Sequence, residues 1–182
     1  MRAVVVYESM FGNTRTIAQA VADGLAAFLP VELVEVGDAP AAVAEDVELL
    51  VVGGPTHAFV LTRPDTRRTA LRQAGRDMAA ARTGLREWLA GLRAGRPGTA
   101  VAAFDTRISR PRVPGSAARA AERRLRRHGF HVVSRAQSFY VAGTEGPPLN
   151  GEVQRARHWA ERVAILARAE GRNRTGLHPL AR

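Results

Sequence analysis

Cysteine is absent from the 182 residues, which excludes a disulfide framework, a thiolate metal site and a cysteine nucleophile. Lysine is absent too: all 27 basic residues are Arg, so Schiff-base chemistry and a P-loop lysine are also excluded. Aromatics make up only 5%, so the core has to be built from Ala, Val and Leu, which suits helices packed on a sheet better than a β-sandwich. Long apolar runs are missing. Ala3 to Tyr7 and Leu49 to Val52 are strand-sized, far short of the roughly 20 residues that cross a bilayer. No signal peptide is visible, so the expectation is a cytoplasmic protein without membrane insertion.

What is present is 46% hydrophobic and 24% charged, with a formal charge of +10. That is ordinary for one soluble domain, expected over residues 1–169, with an aperiodic, loose tail at 170–182. Ala3 to Tyr7 is a continuous apolar run that predicts a strand buried on both faces. Ile17, Val21, Leu25 and Phe28 follow at helical spacing until Pro30. Val31 to Val36 reads as a second strand, Asp38-Ala39-Pro40 as the start of a short helix, and Leu49 to Gly53 as a third strand. A polar, irregular segment then runs from Gly54 to Arg82. Leu85, Trp88, Leu89 and Leu92 predict a helix, with both tryptophans of the chain, Trp88 and Trp159, assigned to core packing. Thr99 to Phe104 reads as a fourth strand, followed by an irregular loop from Asp105 to Gly115. Ser116 is an N-cap for an Ala/Arg helix ending at Gly129. Phe130 to Ser134 and Gln137 to Val141 read as two halves of a fifth strand. Asn150 caps a last helix with Val153, Ala156, Ala160, Val163 and Ala167 on one face.

Five strands separated by helices predict an α/β fold, a doubly wound parallel sheet in the order 2-1-3-4-5 with helices on both faces. Ligands of such sheets bind at the carboxyl ends of strands, so the segments after the first, third and fourth strands form one expected site. Between the first strand and first helix stands Ser9-Met10-Phe11-Gly12-Asn13-Thr14. It combines two hydroxyls, an amide and a permissive glycine in front of a helix N-terminus, the makings of an anion cradle. The same residues also suit plain helix capping. The hexapeptide is neither Gly-x-Gly-x-x-Gly nor a Walker A loop, so dinucleotide and nucleoside triphosphate readings lose their support.

Together, Val6 to Thr14, Gly53-Gly54-Pro55-Thr56-His57-Ala58-Phe59 and Phe104-Asp105-Thr106-Arg107 resemble the flavodoxin-like family. The resemblance implies FMN as cofactor, with its phosphate on Ser9, Met10, Phe11, Gly12, Asn13 and Thr14. It places a first flavin-ring loop at Pro55, Thr56, His57, Ala58 and Phe59, and a second at Phe104, Asp105, Thr106 and Arg107. It implies a redox protein that carries electrons or reduces a small acceptor such as a quinone, as carrier or as FMN-dependent NAD(P)H oxidoreductase, with no catalytic protein residue. In that frame His57 could donate a proton or hydrogen bond, Asp105 could bind the pyrimidine edge, and Arg107 could offset charge. His57 to Val60 contains no glycine, so a peptide flip toward reduced flavin is disfavoured. Arg119, Arg123, Arg124, Arg126 and Arg127 on one helix, and Arg63, Arg67, Arg68, Arg72 and Arg76 after the third strand, read mainly as solvated surface. They leave room for an acidic redox partner and make nucleic acid an unfavoured one. The alternative reading is a cofactor-free module that uses its Arg-rich surfaces for an acidic partner.

Overall fold

The structure, a computed structural model, describes residues 2–56, 61–75, 83–110 and 114–175. Alternating residues of β1 (Arg2–Tyr7) send Val5 to one face of a sheet and Val4 and Val6 to the other, so both faces need cover. Parallel pairing joins β1 to β2 (Val31–Glu35) and to β3 (Val47–Pro55), and β3 to β4 (Ala100–Ile108). The order β2-β1-β3-β4-β5 is the expected one.

The fifth strand is split as the sequence suggested. β5 (His131–Val132) pairs with Ala100 and Val101, and β6 (Gln137–Val141) with Phe104 to Ile108. From Val132 to Gln137 the chain advances five residues while its partners advance three, from Val101 to Phe104, so two extra residues bulge out. A carboxylate oxygen of Glu122 accepts the Ala136 N–H there at 2.8 Å.

One face is covered by α1 (Asn13–Ala26) and α5 (Glu152–Thr175), which bring Ile17, Val21, Leu25, Ala156, Trp159, Ala160 and Val163 onto Val5, Val51 and Ala102. The other is covered by α3 (Leu85–Gly91) and α4 (Ala117–Arg127), whose Trp88, Leu89, Ala121 and Leu125 pack on Val4, Leu50 and Val101. Both tryptophans are core residues, as expected.

Five expectations are corrected. No helix follows Asp38-Ala39-Pro40. That stretch instead runs extended against the chain beyond α3, where Val43 N–H donates to the Arg93 carbonyl and Arg93 N–H to that of Ala41, while Trp88 Nε1–H donates to the Pro40 carbonyl at 2.9 Å. Long-range partners thus satisfy the backbone that a helix would have satisfied locally. The segment from Gly54 to Arg82 contains α2 (Pro64–Gln73), with Pro64 in its first turn and Ala70 and Leu71 buried. β4 continues to Ile108 because β3 and β6 pair with it through Thr106 and Ile108, so Asp105, Thr106 and Arg107 are strand residues rather than loop. The last helix begins at Glu152, after Asn150 and Gly151, and Val153 on it is 44% exposed. It also runs through Thr175, so positions 170–175, expected as tail, are helical; 176–182 lie outside the described residues.

Candidate functional site

Five residues, Glu8 to Gly12, turn the chain from β1 into α1. Gly12 takes φ +89°, a left-handed conformation that residues bearing a Cβ adopt at a cost. The Ser9 hydroxyl oxygen accepts the Arg15 N–H at 3.2 Å, so Ser9 does cap α1. The turn nevertheless keeps most of its donors free. Among the described residues, the N–H groups of Met10, Phe11, Gly12, Asn13 and Thr14 meet no acceptor. The first turn of α1 contains no acidic residue, and Arg15 there makes no ion pair among the described residues. A helix N-terminus with vacant donors, its partial positive charge and an unpaired cation is a place for an anion.

The turn opens into a cavity of about 270 Å³ at the carboxyl end of the sheet. Met10, Phe11, Pro55, Ile108 and Val141 give it apolar walls; Ser9, Asn13, Thr14, Thr56, Thr106, Arg107, Gly143 and Thr144 supply polar groups. The Thr14 and Thr106 hydroxyls bond to one another at 2.7 Å across a buried contact. That bond uses one of their two protons, leaving one O–H to donate elsewhere. Asn13 Nδ2 reaches the Thr144 carbonyl at 3.5 Å, tying the cradle to the segment after β6.

Nine of the expected site residues therefore meet around one cavity: Ser9, Met10, Phe11, Asn13, Thr14, Pro55, Thr56, Thr106 and Arg107. Gly12 shapes the turn without lining it. His57, Ala58 and Phe59 lie outside the described residues. Two of the expected residues lie off the cavity. Phe104 is 1% exposed and packs edge-on against Phe139 and Trp159, with centroids 6.0 and 6.1 Å away, so it is a core residue. Asp105 is fully buried under α4. Its Oδ2 accepts the Thr56 hydroxyl at 2.9 Å, the Ser116 hydroxyl at 2.5 Å and the Ala118 N–H at 3.0 Å, while Thr56 Oγ1 accepts the Ala117 N–H at 2.9 Å. Asp105 Oδ2 thus caps the α4 N-terminus from within rather than lining the cavity, and Oδ1, also buried, has no hydrogen-bond partner among the described residues. Arg107 donates from Nη1 to the Gly115 carbonyl at 2.8 Å, which orients its guanidinium at the rim.

The sequence reading missed Ile108, Val141, Gly143 and Thr144. The last three sit at or just beyond the end of β6, where the rule that ligands gather at strand carboxyl ends applies as well as at the other strands. Away from the cavity, Arg124 on α4 has its pKa lowered, first by burial and then by the positive charges of Arg86, Arg127 and Arg123.

Among the described residues no cluster of acidic or histidine side chains could hold a metal, and no helix is long and apolar enough to cross a membrane. Comparison with known proteins agrees with the geometry. Residues 5–60, which contain the cradle, match the flavodoxin family model, described as Flavodoxin. No curated protein sequence matches the chain. Among solved structures it is similar to a flavodoxin from the domain Archaea, with TM-score 0.63 and 19% identity over 92% of this chain and 99% of that one. Flavodoxin 1 from Bacillus cereus aligns with TM-score 0.62 and 16% identity over 91% and 98% of the two chains. A WrbA-like flavodoxin from Agrobacterium tumefaciens aligns with TM-score 0.58 and 21% identity over 92% and 98%. The chain has a flavodoxin-like fold, with the sheet order 2-1-3-4-5, and its residues 5–60 match the flavodoxin family model.

Proposed function

We propose that the protein binds FMN at the carboxyl end of its sheet and serves as an electron carrier. The observation that carries this reading is the row of five N–H groups, Met10 to Thr14, that meet no acceptor among the described residues and stand at the mouth of a cavity with apolar and polar walls. Without a lysine in the chain, a phosphomonoester is held by main-chain donors, the end of α1 and the spare Thr14–Thr106 proton. Hydrogen bonds involving a charged group contribute about 1.5–3 kcal/mol each, so a few of them suffice. Pro55, Thr56, Ile108 and Val141 border the rest of the cavity and keep water from the ring; Thr106 and Arg107 offer polar contacts beside it. When bound, FMN supplies the electron-transfer chemistry, and the chain contributes binding, orientation and local electrostatics.

The electron partner in this reading is an acidic protein. Arg119, Arg123, Arg124 and Arg127 on α4 have no ion-pair partner among the described residues, and such a field steers negatively charged surfaces toward it. The same arginines support the second reading, a cofactor-free module for an acidic partner. An absorption spectrum of the purified protein, followed by titration of the apoprotein with FMN, separates the two. Flavin absorbance or stoichiometric uptake is expected; colourless protein that takes up no FMN would refute the first reading. Oxidation of a nicotinamide in the presence of a quinone would make the loaded protein a reductase rather than a carrier.

A further inference from the structure

Arg67 lies in a segment whose arginines were expected to be solvated, yet it is only 2% exposed and among the largest fully buried side chains. Its Nη2 donates to Glu87 at 2.9 Å, and its Nη1 lies 3.4 Å from both Glu8 Oε1 and Thr62 Oγ1. Glu8, itself 4% exposed, accepts the Thr62 hydroxyl at 2.5 Å on one oxygen and the Leu85 N–H at 2.9 Å on the other. Glu87 also accepts the Gly84 N–H at 3.0 Å. The guanidinium passes so close to Gly84 that a Cβ there would stand 1.5 Å from Nη1, a space that only glycine leaves. One buried cation therefore ties α2 to the start of α3 and to the residue that immediately precedes the cradle.

A second contact joins the same two regions. Met10, inside the cradle and 3% exposed, packs with Ala70 and Leu71 of α2, with Phe11 against them, in a small cluster separate from both sheet cores. Both ends of the cradle's first half are thus held by α2: Glu8 through Arg67 and Met10 through Leu71. A buried ion pair is costly to desolvate and is poor evidence for stability as such; its better-attested use is to fix one geometry. Here that geometry belongs to the turn whose Met10, Phe11 and Gly12 N–H groups meet no acceptor among the described residues.

We infer that α2 is a built-in strap and Arg67 a positioning residue that, through Glu8 and Met10, holds the Met10 to Thr14 donors convergent on a phosphate. This rests on the FMN reading and extends it: the strap gives selectivity for the phosphorylated flavin over the unphosphorylated one. Preorganising donors raises affinity only for the ligand group that uses them. Titrating apoprotein with FMN and with riboflavin, wild type against Arg67→Met, tests it. FMN affinity should fall about tenfold and riboflavin affinity change by less than about threefold. Amide hydrogen exchange at Arg15 and Thr16, whose N–H groups bond back to the Ser9 hydroxyl and the Gly12 carbonyl, should quicken in the flavin-free variant, whatever the flavin result. Unchanged FMN affinity, an equal loss for both flavins, or unchanged exchange at those amides would overturn the inference. Should Arg67→Met not fold, Leu71→Ala severs the Met10 contact without stranding a buried charge and is read in the same way. If the wild type binds neither flavin, the FMN reading fails, and exchange at Arg15 and Thr16 alone decides whether Arg67 holds the turn.

Discussion

Two helices begin at the same end of the sheet, and their N-termini are furnished in opposite ways. At α4, the vacant donors are answered from within: Asp105 and Ser116 take the N–H groups of Ala118 and Arg119, and Thr56 takes that of Ala117. At α1 only Ser9 answers, to Arg15, and the five N–H groups before it point at no protein acceptor among the described residues. Each helix places an arginine in its first turn, Arg119 and Arg15, against the dipole. Only the α4 end has a carboxyl group set beneath it, from Asp105 of β4. An N-terminus already closed by a buried carboxyl group has few donors to offer, and one left open beside a cavity has several.

Removing the internal anion should give the largest effect. Asp105→Ala is expected to lower stability by about 2–4 kcal/mol, since it deletes a charge-assisted cap and leaves two hydroxyls and an N–H without their acceptor. It should also convert α4 into an open end. Inorganic phosphate, measured by thermal unfolding, should then raise the variant's Tm by more than the wild type's; an equal response would break the contrast between the two helices.

Next is the turn at α1. Gly12→Ala meets no atom within 4 Å, so its cost comes from the backbone conformation alone. That cost is about 1–2 kcal/mol, and FMN affinity measured by fluorescence titration should fall about tenfold as the turn relaxes away from the donors. Thr14→Val should be milder. Loss of the Thr14–Thr106 bond is worth about 1 kcal/mol in chemical denaturation, with FMN affinity reduced several-fold because the remaining Thr106 hydroxyl is no longer held in place by Thr14.

The smallest effect is expected on the body of α4. Burial and the neighbouring Arg86, Arg127 and Arg123 disfavour the charged form of Arg124. Arg124→Gln should therefore raise stability by a few tenths of a kcal/mol and blunt the stabilisation that added salt gives the wild type. A loss of stability would mean that the stem of Arg124 matters through packing more than its charge does through repulsion.

The parts of this protein legible in the sequence are those whose partners lie within one element. The alternation of Val4, Val5 and Val6, the spacing of Ile17, Val21 and Leu25, and the Ser116 cap follow from the period of a strand or helix. They were enough to set the sheet order and put the site at three strand ends. The split of the fifth strand was also visible, because Arg135 and Ala136 separate two β-rich runs. α2 was hidden because one residue of its buried face is Arg67, which any hydropathy period counts as outward-facing. Asp105 and Thr106 looked like a loop for the same kind of reason: their polar groups are satisfied by Ser116 and Thr14, the second of them 92 positions away.

What the chain's order alone determined is the fold and the location of the cradle, because hydrophobic period and helix-start chemistry act over a few residues. Only the tertiary structure decided which polar groups are used up internally and which remain to be offered. Asp105 Oδ2 is used at α4 and Arg67 on Glu8 and Glu87, while the N–H groups of Met10 to Thr14 meet no acceptor among the described residues. That division depends on contacts between residues far apart in sequence, where burial makes an unpaired charge or N–H expensive and so fixes its partner.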